Sequence, residues 1–535
     1  MTGRGLGPAF GPDPLTPLSF LVRAASVYED RLGLIADGRQ FTYGEIASRC
    51  RRMAGALAAE GVGPGSVVSV LAPNTGLALE AHFGVPANGA ILNALNTRLS
   101  VPELAGIVAH AEADVLLVDH EFIDLARAIR AETGRSLRCV VAGGPTDEYE
   151  QWIGSAEPLD MRVDDEWQPI SVNYTSGTTG RPKGAVYAHR GAFLQAMAMA
   201  AQLGLSNKTT FLWTLPMFHC NGWCFPWAVT AMGGVHIGLR RADASAIWRA
   251  IDEQGITHFN AAPTVLVALA DHSDAHRIES GLKVATGGAP PAPALLERLE
   301  SLNIEVTHLY GLTETYGPAV VCEWRPEWDA LPIDERAQRK ARQGVSNLVS
   351  PRLRVIDPAG VDVAPDGQTV GEVALRGNIV MLEYLNDPDA TAAATVTGPG
   401  GSWFRTGDIA VLHPDGYLEL RDRAKDVIIS GGENIASIEV EQALASHPAV
   451  AECAVVGAPD SHWGEIPVAY IVLRDRRSAT ESEIVEHCKA SIARFKAPRC
   501  VIFVTELPKT ATGKIQKFLL RERLRDVAAT TADGD

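Results

Sequence analysis

The sequence predicts an α/β fold, with a large N-terminal region of layered α/β subdomains, a small β-barrel-like subdomain and a small α+β C-terminal domain. Three observations lead to this prediction. Helical and strand patterns alternate through most of the chain, short strands between turns begin near Arg352, and mixed patterns return after Asp422. We therefore expect one domain over residues 1–421 and a second over residues 422–535.

The first region alternates helices with buried strands. Residues 43–60 show helical spacing of apolar side chains, and Thr42 is a candidate N-cap. Short apolar runs at 66–71, 113–118 and 139–142 are typical of strands in a parallel sheet covered by helices. These patterns predict layered α/β subdomains.

The predicted β subdomain and C-terminal domain are indicated by the elements that follow Arg352. Short strands bounded by Asp-Pro and Pro-Asp-Gly turns indicate the β subdomain, at 353–356, 371–376 and 416–420. The C-terminal domain is predicted to contain a helix at 437–445, a strand at 451–456 and a helix at 481–492.

Composition excludes several classes of protein. The 535 residues are too many for one ordinary core, and 46% of them are hydrophobic. A formal charge of −16 disfavours nucleic acid and anionic membranes as partners. We see no secretory signal and no apolar run long enough for a membrane span. The eight cysteines are scattered without a C-x-x-C pair, so we expect a cytoplasmic protein. A homodimer is left open.

The strongest motif runs from Tyr174 to Gly184 and reads Tyr-Thr-Ser-Gly-Thr-Thr-Gly-Arg-Pro-Lys-Gly after a strand-like run at 169–173. Glycines allow the backbone to turn and approach an anion, and loop amides, hydroxyls and a lysine would donate to phosphate oxygens. The motif does not match the P-loop of kinases and motor ATPases. The residues expected to hold the β- and γ-phosphates of ATP are Ser176, Gly177, Thr178, Thr179, Gly180 and Lys183.

Four further segments carry side chains suited to a nucleotide. Residues 310–315 offer an aromatic ring for a base, a hydroxyl for a phosphate and a carboxylate for Mg²⁺. Residues 286–290 present bare backbone on which a planar base could pack. Asp408 could accept both ribose hydroxyls. Residues 508–517 form a basic loop near the C-terminal end.

In these segments the chain resembles the AMP-forming adenylating superfamily, which contains acyl-CoA synthetases, peptide-synthetase adenylation domains and luciferases. The resemblance covers roughly residues 30 to 525. It implies that residues 1–421 form the AMP-binding domain and that residues 422–535 form a mobile domain carrying a catalytic lysine. It also implies that ATP, Mg²⁺ and CoA are used to convert a small-molecule carboxylic acid into an acyl-adenylate and then a thioester.

The resemblance assigns roles to individual residues. Lys514 bridges the attacking carboxylate and the α-phosphate, His219 lies near the carboxylate, and Glu314 and Thr175 hold Mg²⁺. Tyr310 contacts the adenine, Thr313 the α-phosphate, Asp408 the ribose, and Arg423 the ribose or phosphate. Besides the phosphate-loop residues, the expected ATP-binding set comprises Thr175, Gly288, Ala289, His308, Tyr310, Gly311, Thr313, Asp408, Arg423 and Lys514.

The acyl and CoA sites follow from the same resemblance. Residues 216–225 resemble the fourth motif of fatty-acyl and aryl-CoA ligases. The hinge maps to Lys425, and Gly432 lies beside the pantetheine tunnel. The expected acyl-pocket residues are His219, Trp223, Gly287 and Gly311.

The acyl group itself is left open by the sequence. A wall of aromatic residues predicts an apolar chain, unbranched near its carboxylate and of short to medium length, formed by Trp213, Phe218, Trp223, Phe225 and Trp227. The resemblance of residues 216–225 implies a short-to-medium or long-chain fatty acid or 3-methylthiopropionate. The alternatives are an aryl acid and the loading of a carrier protein.

Other activities fit less well. An amino-acid adenylator would need an acid between His219 and Phe225, and none is there. Cys220 and Cys224 beside His219 lack a second closely spaced pair for zinc, so we interpret them as pocket-wall residues. A luciferase-like oxygenase stays open, whereas the presence of Lys514 disfavours a non-catalytic nucleotide-binding regulator.

Overall fold

The computed structural model of the chain describes residues 11, 13–175, 182–288, 291–350, 352–423, 425–430, 433–460, 462–474, 477–510 and 515–532. These residues form four sheets with helices packed on them, which confirms the predicted α/β fold class. No helix in these ranges is both long and apolar enough to cross a membrane.

The elements are numbered in chain order. The helices are α1 Leu18–Val27, α2 Tyr43–Ala59, α3 Gly76–Ala87, α4 Val101–His110, α5 Ile123–Thr133, α6 Glu148–Gly154, α7 His189–Gln202, α8 Cys220–Trp223, α9 Phe225–Met232, α10 Ala244–Gln254, α11 Pro263–Asp271, α12 Pro293–Ser301, α13 Ile333–Ala341, α14 Pro388–Ala393, α15 Ser437–Ala445, α16 Glu481–Ser491 and α17 Lys517–Ala532. Short 3₁₀ turns occupy His120–Phe122, Thr313–Thr315, Pro326–Ala330 and Arg494–Lys496.

The strands are β1 Leu32–Ala36, β2 Arg39–Thr42, β3 Val67–Leu71, β4 Ile91–Ala94, β5 Val115–Asp119, β6 Arg138–Ala142, β7 Pro169–Thr175, β8 Lys183–Ala188, β9 Thr210–Leu212, β10 Val235–Ile237, β11 His258–Ala261, β12 Leu282–Thr286, β13 Ile304–Leu312, β14 Gly317–Val321, β15 Val345–Ser346, β16 Arg352–Ile356, β17 Gly371–Arg376, β18 Glu383–Tyr384, β19 Thr395–Gly398, β20 Gly401–Leu412, β21 Leu418–Arg423, β22 Ile428–Ser430, β23 Glu433–Ile435, β24 Val450–Asp460, β25 Gly464–Leu473 and β26 Cys500–Phe503.

Helix starts follow local capping rules. Thr42 accepts a hydrogen bond from the Glu45 amide, and the Glu45 carboxylate accepts one from the Thr42 amide. Thr480 and Glu483 make the same reciprocal pair before α16. Because each pair satisfies two amides that have no partner within the helix, these two helices begin at a defined residue.

The two large sheets share one core. A nine-stranded sheet has the order β15-β14-β13-β12-β11-β9-β10-β1-β2, and a seven-stranded sheet has the order β18-β8-β7-β4-β3-β5-β6. Their central pairs are parallel, as the continuous apolar runs predict. The largest cluster of buried apolar residues contains Leu34 and Ala285 of the first sheet and Val68 of the second.

Strand β13 changes its mode of pairing along its length. Up to His308 it pairs in parallel with β12, and from Leu309 it pairs antiparallel with β14. The expected nucleotide motif therefore begins where the sheet changes from parallel to antiparallel.

The two smaller sheets follow in sequence order. The predicted β subdomain is a five-stranded antiparallel sheet in which β16, β17, β20 and β19 are neighbours and β21 pairs with β20. The next sheet has the order β23-β22-β25-β24, with β26 added in parallel to β25. It has an apolar core of its own, which includes Ile428, Leu444 and Ile471.

Candidate active site

The expected phosphate loop connects two paired strands. β7 and β8 are antiparallel neighbours, with Thr175 opposite Lys183 and Tyr174 opposite Gly184. The ladder therefore holds the two ends of the loop in register. The predicted residues between them, Ser176, Gly177, Thr178, Thr179 and Gly180, lie outside the described residues.

Tyr384 joins the phosphate-loop end to the expected Mg²⁺ ligand. Its hydroxyl donates to Glu314 Oε1 at 2.7 Å, and the Lys183 ammonium lies 5.1 Å from the centre of its ring. Burial raises the pKa of Tyr384, so the hydroxyl stays a donor at neutral pH. The main chain supports this geometry because the Met381 amide donates to the Glu314 carbonyl at 2.8 Å.

The residues expected to bind the nucleoside also come together. Tyr310 donates from its hydroxyl to Asp408 Oδ2 at 2.6 Å, and Arg423 Nε lies 2.5 Å from Asp408 Oδ1. Asp408 and Arg423 are directly opposite each other in the β20–β21 ladder. A single buried carboxylate therefore organises an aromatic ring and a guanidinium from separate strands.

Two other predicted ATP-binding residues are anchored through backbone oxygens. Thr313 follows the end of β13, and its carbonyl accepts a hydrogen bond from the Tyr187 hydroxyl at 2.6 Å. His308 Nδ1 donates to the Arg342 carbonyl at 2.8 Å, and burial lowers the pKa of this imidazole to about 4. His308 is therefore neutral at physiological pH.

The acyl motif contains a left-handed turn, residues 220–224, which we call the acyl turn; the short element α8 lies within it and does not have the dihedral angles of a right-handed helix. Its five φ angles are 42°, 44°, 55°, 57° and 66°, and Gly222 is the one glycine among these residues. A left-handed helical conformation costs an L-residue about 1–2 kcal/mol, so a run that includes Trp223 must be held by its surroundings. The other four residues of the turn are also buried.

The acyl turn directs Trp223 between two glycines. An added Cβ at Gly287 would lie 3.2 Å from the tip of the indole ring, and one at Gly317 would lie 3.1 Å from its Cδ1 atom. A Cβ at Gly311 would lie 1.9 Å from the Gly317 carbonyl oxygen, so position 311 must be glycine. Trp223, which is 6% exposed, therefore fills the space beside Gly287, one of the expected acyl-pocket residues.

The predicted aromatic wall is smaller than the sequence indicates. Trp213, Phe225 and Trp227 are fully buried in the main core. Trp213 donates to His236 Nδ1 at 3.1 Å, and Trp227 donates to the His82 carbonyl at 3.1 Å. These three rings are core residues, a correction to the expectation that all five aromatic side chains line the pocket.

The remaining predicted residues lie around these groups. Cys220 Sγ lies 3.5 Å from Thr313 Oγ1, so the acyl turn contacts the expected α-phosphate residue, and His219 immediately precedes that turn. Lys425 is exposed between β21 and β22, and Gly288 follows β12. Ala289, Gly432 and Lys514 lie outside the described residues.

Three side chains that support the expected site residues by hydrogen bonds were not predicted from the sequence. Tyr384 and Tyr187 contact the Thr313–Glu314 segment, and Asn221 anchors the acyl turn. For Asn221 there was a usable signal, since an amide within an otherwise apolar motif must find partners when buried. Tyr384 stands among ordinary turn residues and gave no such signal.

Comparison with known proteins identifies the family of the chain. The model of the AMP-binding enzyme family matches residues 21–385, and that of the AMP-binding enzyme C-terminal domain matches residues 439–514. The chain therefore belongs to the AMP-binding enzyme family.

Relatives and a solved structure match over nearly the whole chain. The 2-methylpropanoate–CoA ligase CCL4 of Humulus lupulus is 44% identical over 540 residues, covering 97% of both chains. The peroxisomal acetate/butyrate–CoA ligase AAE7 of Arabidopsis thaliana is 42% identical over 545 residues, covering 96% of this chain and 95% of the relative. The anthranilate CoA ligase AuaEII, solved with anthranoyl-AMP, has a TM-score of 0.87 at 29% identity and covers 97% of this chain and 99% of its own.

Proposed function

We propose that this AMP-forming acyl-CoA ligase activates short aliphatic monocarboxylic acids, such as butyrate. The observation that carries the proposal is the position of Trp223, whose indole packs between Gly287 and Gly317. Space filled by an indole cannot also hold a long alkyl chain or an aryl ring. The names of the two plant relatives, which refer to acids of this size, support the same substrate class.

In the first half-reaction, a carboxylate oxygen attacks the α-phosphorus of ATP, and the bond to pyrophosphate breaks. Lys183 and the loop before it hold the leaving phosphates, and Asp408 with Arg423 holds the ribose. Lys514 stabilises the negative charge that develops between the carboxylate and the α-phosphate. These residues accelerate the reaction by orientation and by placing positive charge.

The oxygen ligands of the site fit Mg²⁺. The Glu314 carboxylate and the Thr175 hydroxyl are hard donors, and Mg²⁺ favours a few such groups together with phosphate oxygens. When bound, the ion would neutralise charge on the phosphates of ATP. Tyr384 orients Glu314 for this role through the hydrogen bond to Oε1.

In the second half-reaction, the CoA sulfur attacks the acyl carbon and AMP leaves. We propose that residues 422–535 turn about Lys425 between the two steps, withdrawing Lys514 and placing Gly432 beside the pantetheine arm. Such a movement also keeps water from the acyl-adenylate. The cytoplasmic location and the homodimer remain predictions.

The length of the acid sets the expected preference. Each methylene that fits in an apolar pocket improves binding by about 0.8 kcal/mol, until the pocket ends. Amino acids and diacids should be poor substrates, because a second charge without a partner would be buried at a cost of several kcal/mol. Trp223 is the residue expected to end the pocket.

A panel of acids tests the proposal. Purified enzyme with Mg²⁺-ATP and CoA is assayed for AMP release on acetate, butyrate, 2-methylpropanoate, hexanoate, octanoate, 3-methylthiopropionate and benzoate. We expect the highest kcat/KM among the short acids. Comparing butyrate with 2-methylpropanoate also tests the expectation of an unbranched chain. A preference for octanoate or benzoate would overturn the substrate assignment.

The tryptophan itself is tested by substitution. Trp223→Ala should move the optimum to longer acids by opening the pocket, with the KM for ATP nearly unchanged. Trp167→Ala is the matched control, because this tryptophan is 56% exposed and is not one of the expected site residues. An unaltered acid profile in Trp223→Ala would contradict the role of the indole.

A further inference from the structure

The acyl turn is held by one buried amide. Asn221 is 0% exposed, and its Oδ1 atom accepts from Ser171 Oγ at 2.8 Å and from Asn173 Nδ2 at 2.6 Å. Its Nδ2 atom lies 3.1 Å from His82 Nε2, and its main-chain amide donates to Asn173 Oδ1 at 2.9 Å. Four hydrogen bonds thus fix the second residue of a strained turn.

The histidine partner has a defined protonation state. His82 Nδ1 lies 2.6 Å from the Ala78 carbonyl, which can only accept, so the ring proton is on Nδ1. Burial lowers the pKa of His82 to about 4, which keeps the imidazole neutral. Its Nε2 atom is therefore the acceptor for the Asn221 amide, and the Asn221 side chain has one orientation that satisfies all its partners.

The same network reaches both the pocket and the phosphate loop. Ser171 and Asn173 lie on β7, the strand that ends at Thr175 where the loop begins. The Tyr316 hydroxyl donates to Ser171 Oγ at 2.8 Å, and Tyr316 precedes Gly317, which packs against the indole of Trp223. The ATP end and the acyl end are therefore attached to one buried cluster.

We propose that Asn221 is a positioning residue for substrate selection: by clamping the acyl turn to β7, it keeps Trp223 in the acyl pocket. The inference rests on the proposed function, since it concerns the selectivity of that pocket. Without the clamp, the turn can relax towards right-handed φ values and the indole leaves its place between the glycines. Longer acids then gain entry, whereas ATP binding changes little.

The test compares the selectivity of variants with that of the wild type. The quantity measured is kcat/KM for butyrate divided by kcat/KM for octanoate. In Asn221→Ala this ratio should fall by about tenfold or more, since a few methylenes in a pocket are worth factors of this size. The KM for ATP should stay within about twofold of the wild-type value, because the backbone ladders to β4 and β8 still hold β7 at the start of the phosphate loop.

Asn303→Ala is the matched control. Asn303 also has a positive φ, 62°, and its Nδ2 atom donates to the Ile278 carbonyl at 2.7 Å, but it follows α12 outside the site. This variant should lose stability without a change in selectivity. An equal change of the ratio in both variants would show that the effect is a general loss of stability, and would overturn the proposal.

A double variant tests whether Asn221 acts through the indole. If it does, Asn221→Ala combined with Trp223→Ala should have the acid profile of Trp223→Ala alone, because the effects of substitutions at interacting residues are not additive. Additive changes in the ratio would contradict the proposal. His82→Phe keeps an aromatic ring while removing the acceptor, and it should shift the ratio in the same direction by a smaller factor.

Each result bears on a separate claim. The substrate assignment depends on the wild-type ratio, and the positioning role depends on how that ratio changes in the variants. A folded Asn221→Ala protein with the wild-type ratio would overturn the positioning role and leave the assignment intact. If Asn221→Ala does not fold, His82→Phe decides, and an unchanged ratio in that variant is equally negative.

Discussion

The acyl turn and the junction around Lys425 differ in how deeply their central residues are buried. The acyl turn is buried, and a polar cluster fixes its left-handed conformation. At the junction, Lys425 is exposed, and the Ser437 amide donates to Asp422 across it. We propose a division of labour in which the buried turn selects the acid and the exposed residue at the junction allows the change between half-reactions.

The largest effect is expected for Lys514, in the C-terminal domain that we propose to move between the half-reactions. Lys514→Ala should reduce acyl-adenylate formation by about 10²–10³, the range for loss of a key electrostatic donor. Pyrophosphate exchange driven by butyrate measures this step. The variant should still form thioester from supplied acyl-adenylate. Equal losses in both half-reactions would remove the case for two conformations. The control is Lys489→Ala, because this lysine of α16 is partly exposed and pairs with Glu486.

The junction is tested by restricting its backbone. Lys425→Pro fixes φ near −65° and should trap one conformation, so that adenylation continues while thioester formation falls by about 10². Lys425→Ala leaves φ free and should have little effect on either step. Normal rates for both half-reactions in the proline variant would place the hinge elsewhere.

Tyr384→Phe tests the contact between Tyr384 and the expected Mg²⁺ ligand Glu314. It removes the hydrogen bond to Glu314 and keeps the ring beside Lys183. A hydrogen bond to a charged group is worth about 1.5–3 kcal/mol, so the Mg²⁺ concentration for half-maximal activity should rise about tenfold or more. Electron paramagnetic resonance of Mn²⁺ binding with ATP provides a readout independent of turnover.

The control for this variant is a second tyrosine–carboxylate pair. Tyr149 donates to Glu80 Oε2 at 2.5 Å, and this pair lies outside the site. Tyr149→Phe should lower stability and leave the Mg²⁺ requirement unchanged. The same Mg²⁺ response in both variants would mean that Tyr384 does not act through Glu314.

The smallest effect is expected at a surface contact between the predicted N-terminal and C-terminal domains. Arg474 Nη1 lies 3.1 Å from Asp271 Oδ2, and the two side chains are 41% and 36% exposed. Exposed ion pairs contribute about 0–1 kcal/mol, so Arg474→Gln should change the Tm by a few degrees at most and leave acid selectivity unaltered. A large loss of thioester formation would show that this contact sets the position of the C-terminal domain.

Much of the fold was accessible from local patterns. The Thr42 cap, the helix at 437–445 and the strand that precedes the phosphate loop depend on short-range rules, and the structure has them where the sequence predicts them. Motif positions also identified Tyr310, Asp408 and Arg423, which the fold brings into contact. Whether they bind the nucleotide stays a prediction.

The supporting contacts were not accessible in the same way. Tyr384 meets Glu314 across 70 residues of sequence, and no local rule relates the two. The acyl turn contains one glycine, so its five positive φ values could not be inferred from residue preferences. Tertiary hydrogen bonds impose that conformation, and these become visible when β7 is placed beside the turn.

The change of pairing within β13 has a consequence for how the chain tolerates variation. His308 and Tyr310 are two residues apart on this strand, so they face the same side of the sheet. One residue inserted or deleted between them would turn Tyr310 away from Asp408 and shift the glycine that must stand at 311. Length is therefore fixed in this strand, and changes of length that preserve activity belong in the surface connections, such as the turn between β16 and β17.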